Sequence, residues 1–184
     1  GENIEPVVLC MLFGGLRREE ACALYWDDLT VDGGIVSVSV TKGYQCVEDR
    51  AVEVAPKTPK SVRTVFVSGK AAERLASLRE NAVGRTEEAH SPLVPNVNGE
   101  RMNPNIVAKR WRAVRDAAGL KEVPMKNLRT SYATALKQAG TDNATISELL
   151  GHTNLTTAYD HYFAVNEESN RAVAERSGKA CYIV

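Results

Sequence analysis

The chain has 184 residues, with 23 Lys or Arg against 23 Asp or Glu, so its formal net charge is zero. That length suffices for one domain with a substantial core, and the composition is that of an ordinary globular protein. The neutral balance argues against a uniformly basic nucleic-acid surface, and the longest apolar run, residues 6–16, is too short to span a bilayer.

No signal-peptide pattern is present. The chain starts at Gly1 and enters a helical pattern at once, as a domain excised from a longer protein would. Its four cysteines (Cys10, Cys22, Cys46 and Cys181) form no CxxC and no metal-ligand spacing with His. Free thiols in a reducing cytoplasm are the simple expectation.

Residues 4–13 are apolar enough for a buried helix, closed by Gly14-Gly15. Residues 19–24 read as a second helix, with acids in its first turn where the helix dipole favours them. Asp32-Gly33-Gly34 is a turn, and residues 35–40 alternate like a half-buried strand. Residues 47–54 and 62–67 continue in β fashion, with Pro56 and Pro59 marking a loop between them. About three antiparallel strands therefore form a small sheet on one edge.

The remainder reads as helical. A helix is expected over 71–83, then a polar loop over 84–103 containing a short Leu93-Val94 segment. Asn103-Pro104 opens a helix to 118, by the N-cap and Pro-at-N1 pattern, and Gly119 closes it. Residues 126–139 form a helix with Leu128, Tyr132, Ala135, Leu136 and Ala139 on its buried stripe. Thr141 or Asp142 caps the next helix, which stops at Gly151. Further helices are expected over 153–163 and 166–176. The class is α+β, mainly helical.

Charge is unevenly spread. Residues 101–129 hold eight basic and two acidic side chains, whereas 142–175 hold six acids and one Arg. One basic face and a separate acidic element follow, with Lys109, Arg110 and Arg112 as candidate DNA contacts on the 103–118 helix.

Within 37 residues stand Lys126, Arg129, His152 and Tyr162, and Arg17 lies far upstream. Opening a phosphodiester requires stabilising charge on its non-bridging oxygens, and Arg offers planar, bidentate, permanently charged donation. A leaving oxygen needs a proton from Lys or His, and a tyrosine phenol can attack once activated. Arg17 and Arg129 are the candidate phosphate clamps, and Tyr162 or Tyr159 the nucleophile.

These boxes, Gly15-Leu16-Arg17-Arg18-Glu19-Glu20 with Leu24-Tyr25-Trp26-Asp27-Asp28-Leu29, Pro56-Lys57-Thr58-Pro59-Lys60-Ser61-Val62-Arg63-Thr64, and Leu128-Arg129-Thr130-Ser131-Tyr132-Ala133-Thr134 with Leu149-Leu150-Gly151-His152, resemble those of the tyrosine recombinases, the integrase family. The match runs from residue 4 to about residue 164. The resemblance implies the family's catalytic-core fold, with Arg17, Lys57, Lys126, Arg129, His152 and Tyr162 as catalytic residues and Glu20 as their support. Lys60 and Lys42 are rivals for the role of Lys57. It further implies that Tyr162 attacks the scissile phosphate and that Lys57 protonates the departing 5′ oxygen. A 3′-phosphotyrosyl link then stores the bond energy, without metal, ATP or other cofactor. Double-stranded DNA is the implied partner, bound by a homotetramer of otherwise monomeric chains in a bacterial or phage-infected cytoplasm, with no membrane association. Residues 1–184 are then one catalytic domain without its N-terminal core-binding domain. Residues 166–184 are expected to dock onto a neighbouring protomer.

Two positions depart from the family pattern. Lys126 stands where the family usually has His, and Ala164 stands where a His usually trails the nucleophile. Tyr159 has such a His at 161. The family's spacing nevertheless favours Tyr162, ten residues beyond His152, over Tyr159 at seven. A degenerate relative acting as a DNA-binding or protein-interaction module is the alternative these departures leave.

Overall fold

The computed structural model describes residues 3–48, 50–56, 61–83, 90–120 and 123–151. Helix α1 (Glu5–Gly14) is central and apolar on most sides, with Val7, Cys10 and Met11 sealed from solvent. It ends at Gly15, whose φ of 67° closes the helix in the left-handed region. Helix α2 (Arg18–Ala21) follows, shorter than the 19–24 span expected. The chain leaves the helix because Leu24 and Trp26 bond instead to the 91–93 segment: Leu93 N–H donates to the Leu24 carbonyl and Trp26 N–H to that of Ser91. This contact also buries Leu93 and Val94.

A 3-10 turn (Trp26–Asp28) leads into β1 (Leu29–Asp32), β2 (Ile35–Val40), β3 (Gly43–Val47), β4 (Arg50–Val54) and β5 (Arg63–Ser68). Strands β1, β2 and β5 form an antiparallel sheet in that order, and β3 pairs with β4 as a separate hairpin. The β1–β2 turn uses Gly33 and Gly34 at φ 54° and 80°, the paired positive angles of a tight hairpin. Val36, Val38, Val65 and Val67 line the inner face, cross-paired as Val36↔Val67 and Val38↔Val65. Val40 pairs with Arg63 in the same register.

Two strands differ from expectation. β1 buries only Leu29 of its four residues, so no apolar alternation announced it, and its ladder to β2 holds it. The expected 47–54 strand is half of a hairpin whose first arm, residues 43–47, carries no alternating pattern and is mostly half-buried.

Helices α3 (Gly69–Val83), α4 (Pro104–Ala117), α5 (Asn127–Gln138) and α6 (Asn143–Leu150) complete the described fold. Asn103 caps α4 by accepting the Asn105 N–H at 2.9 Å, and Asp142 caps α6 by accepting that of Thr145 at 2.9 Å. α5 packs along α1. Its buried side chains are Leu128, Arg129 and Ala133, with Tyr132 and Leu136 half-buried, whereas Ala135 and Ala139 face solvent. The stripe is rotated from the expected one because it takes Arg129 inward.

Cys10, Cys22 and Cys46 are free thiols, and burial pushes Cys10 and Cys22 up to about 12. Among the described residues no helix is long and apolar enough to cross a membrane. The helices expected over 153–163 and 166–176 lie outside the described residues.

Candidate active site

The local chain geometry that builds the site begins at Gly15. A Cβ there would fall 2.4 Å from the Tyr132 ring, so only glycine lets α1 and α5 approach this closely. The turn projects Arg17 from the N-cap of α2, and Glu20, three residues on, reaches back to it. The Arg17 N–H donates to Glu20 Oε2 at 2.7 Å and Arg17 Nη1 to Oε1 at 2.7 Å. That backbone contact is the carboxylate half of a capping box.

Glu20 is buried, and a second arginine meets it from the sheet. Arg63 Nη1 donates to Oε1 at 3.1 Å and Nη2 to Oε2 at 2.9 Å, a bidentate pair. Arg129 Nη1 from α5 lies 3.8 Å from Oε2. Burial alone would push this carboxyl up. The Arg63 hydrogen bonds and charge, with the Arg17 N–H and charge behind them, outweigh it and hold the group at about 2. Glu20 is thus a fixed anion inside a ring of three guanidiniums.

The same three arginines receive the C-terminal end of α6. Arg63 Nε donates to the Leu149 carbonyl at 3.1 Å, Arg129 Nη2 to Leu150 at 2.7 Å and Arg17 Nη2 to Gly151 at 3.3 Å. Helix ends leave carbonyls unsatisfied and carry partial negative charge, so cations are their natural partners. Arg129 Nη1 also donates to the Gly15 carbonyl at 2.6 Å, tying α5 to the turn before Arg17. Gly151 closes α6 at φ 63°, with Arg63 Nη1 only 3.1 Å from where a Cβ would sit.

The sequence candidates separate cleanly. Arg63 and Arg129 side chains are 9% and 7% exposed, whereas that of Arg17 is 39% exposed and lines a cleft of about 500 Å³. Lys42, Gln45, Ser61 and Gly151 border the same cleft. Lys126 is exposed at the N-cap of α5, one turn before Arg129; the first turn of that helix holds no acid, so its positive end is not offset there. Lys42 reaches the cleft, but its Nζ stands 3.4 Å from Asp28 Oδ2 and 4.7 Å from the Tyr25 ring centroid, which hold it as an ion-paired, ring-stacked cation. Lys57, Lys60, His152, Tyr159 and Tyr162 lie outside the described residues. Lys109, Arg110 and Arg112 do not line the cleft. Lys109 and Arg112 are exposed on α4, and Arg110 borders a shallow groove with Ile4, Val8 and Trp111.

Arg63 lies within the sequence box around Lys57, which assigns it no role of its own. A signal was there: it shares strand parity with Val65 and Val67, so the alternation that buries those valines turns Arg63 inward too.

Residues 4–169 match the family model described as the phage integrase family. The tyrosine recombinase XerA of Thermococcus kodakarensis is 30% identical over 177 residues, which cover 94% of this chain and 55% of that protein. Among solved structures, the XerA recombinase superposes with a TM-score of 0.70 at 17% identity, covering 93% of this chain and 55% of the other. The Tn1549 transposon integrase, solved in complex with transposon right end DNA, gives 0.65 at 21% identity, covering 94% and 57%. The chain spans about half the length of the curated relatives it matches.

Proposed function

The chain belongs to the phage integrase family, and on that premise we propose that it is the catalytic domain of a site-specific DNA recombinase. It cleaves and rejoins strands through a 3′-phosphotyrosyl intermediate, in the integration or excision of a mobile element. Its substrate is double-stranded DNA, bound as a tetramer with residues 166–184 docked on a neighbouring protomer, and its setting is the cytoplasm of a bacterial or phage-infected cell.

The observation that carries this reading is the state of Arg17. Glu20 holds its backbone N–H and its Nη1, the Gly151 carbonyl accepts from its Nη2, and the side chain lines the cleft. A guanidinium oriented in advance, with donors left toward an open space, stabilises charge on a phosphate without reorganising during the reaction. Arg129, bonded to the Gly15 carbonyl, ties α5 to the turn before Arg17, and Lys126 adds a cation at the start of the same helix. Tyr162 supplies the nucleophile and Lys57 the proton for the 5′ oxygen. His152 follows directly on Gly151, whose carbonyl Arg17 holds.

The test is covalent trapping. The full-length protein is mixed with nicked suicide substrates spanning its candidate attachment sites, and denaturing gels are read for a protein–DNA adduct. The expected outcome is an adduct that disappears in Tyr162→Phe while DNA binding persists. An adduct surviving in Tyr162→Phe and lost in Tyr159→Phe moves the nucleophile to Tyr159. Salt-sensitive binding without any adduct establishes a non-catalytic DNA-binding module instead.

A further inference from the structure

We propose that Arg63 is a positioning residue for strand cleavage, a hub that holds Arg17 and the end of α6 in their reactive arrangement without itself touching DNA. The inference rests on the recombinase reading above and adds to it a residue outside the six catalytic candidates.

Three observations carry it. The first is saturation of Glu20. A carboxylate offers about four acceptor sites, and here the Arg17 N–H, Arg17 Nη1, Arg63 Nη1 and Arg63 Nη2 occupy four. With its lone pairs shared between two arginines, Glu20 cannot close further on Arg17 and compete with a phosphate for its remaining donors. Without Arg63 the buried carboxylate would have two empty sites and would turn to Arg17 or to Arg129, now 3.8 Å away.

The second is connectivity. One guanidinium joins segments 43 and 86 residues apart: Glu20 on α2, and the Leu149 carbonyl at the end of α6. Nη1 also donates to the Ser61 carbonyl at 3.3 Å, on the segment that directly follows Lys57-Thr58-Pro59-Lys60 in the chain. Residues 61, 149 and 20 thus share one anchor, and the chain continues from them to Lys57, His152 and Arg17. The third is fit. Gly151 packs tightly against Arg63, a Cβ there falling 3.1 Å from Nη1, and the Arg63 side chain is only 9% exposed, too enclosed for a substrate contact.

Among the described residues the charged and titratable groups around Glu20 are Arg17 at the N-cap, Arg18 and Glu19 on its own helix, Arg63 from β5, Arg129 and Tyr132 from α5, and Lys42 across the cleft. Of these, Arg63 holds both carboxylate oxygens by side-chain hydrogen bonds, so its loss leaves the upward push of burial opposed mainly by Arg17.

The experiment measures single-turnover adduct formation on a suicide substrate, with the full-length protein, from pH 5 to 8. Wild type, Tyr162→Phe, Arg63→Gln, Arg63→Lys and Glu20→Gln/Arg63→Gln are compared, and DNA affinity and thermal melting are recorded for each. The expected result is a roughly 10- to 100-fold slower covalent step in Arg63→Gln, by analogy with the loss of outer partners that orient metal ligands. DNA affinity stays within about two-fold, and a new fall in rate appears on the acid side. Adding Glu20→Gln removes that acid fall, because no carboxylate remains to titrate. Arg63→Lys keeps the charge but not the fork, and loses rate with a smaller acid effect. Should Arg63→Gln not fold, Arg63→Lys decides. Wild-type rate and pH profile in a folded Arg63 variant would overturn the inference and leave the recombinase reading standing. No adduct from wild type would overturn both.

Discussion

Glu20 is a single carboxylate between three guanidiniums, and its consequences are local and measurable. Its pKa is held at about 2 against an ordinary 4.5, so the stability it contributes is fully present above about pH 4.5 and is lost as pH falls toward 2. The difference amounts to roughly 3 kcal/mol at neutral pH, as an upper bound. Glu20→Gln should therefore lower the melting temperature at pH 7 by several degrees. It should also flatten the acid limb of the stability curve between pH 4.5 and 2, followed by circular dichroism. Arg17 has the opposite profile. It is the most exposed of the three arginines, and its side chain lines the cleft. Arg17→Ala is expected to leave melting within a few degrees of wild type while slowing adduct formation by ~10²-fold, the scale of a lost oxyanion-type donor at ~3 kcal/mol.

At the scale of elements, the site depends on how α1, α5 and α6 converge. Gly15 is the pivot: left-handed φ, Tyr132 against its α-carbon, and a carbonyl held by Arg129. Gly15→Ala adds αL strain of about 1 kcal/mol and a clash that forces the Tyr132 ring aside. Both melting temperature and cleavage rate should drop together, because the displaced turn carries Arg17 with it. Helix α4 provides the contrast. Removing its cap by Asn103→Ala should cost about 1 kcal/mol, read as a few degrees in melting, with the cleavage rate unchanged. A loss of cleavage there would mean that α4 contributes to the site and not only to the scaffold.

For the whole molecule the unresolved balance is charge. A net charge of zero is unusual for the DNA-binding role proposed above, yet the basic residues concentrate over 101–129 while acids populate 142–175. The proposed function makes Lys109 and Arg112, both exposed on α4, candidate contacts to duplex DNA. If each neutralises one phosphate, the double alanine variant reduces the slope of log K against log salt by about 2. An unchanged slope would confine DNA contact to the cleft and other cations such as Lys126.

Much of this was written in local signals. Gly15 as a helix stop, Gly33-Gly34 as a hairpin turn, Asn103-Pro104 as a helix start and Gly151 as a helix end all follow from backbone preferences of single residues. Arg17 and Glu20 lie three residues apart, so short-range geometry couples them. Motif order likewise singled out Arg17 and Arg129 before any contact was known. What needed the folded chain was everything set by long-range approach. Strand β1 exists through its ladder to β2 rather than through its own apolar pattern. The α5 stripe rotated because Arg129 is stabilised inside by carbonyls from Gly15 and Leu150. Arg63, one arginine among many in the sequence, acquires its place only when residues 20, 63 and 149 meet. A buried cation is tolerable solely where an anion and free carbonyls already wait for it, and no local pattern in the sequence encodes that meeting.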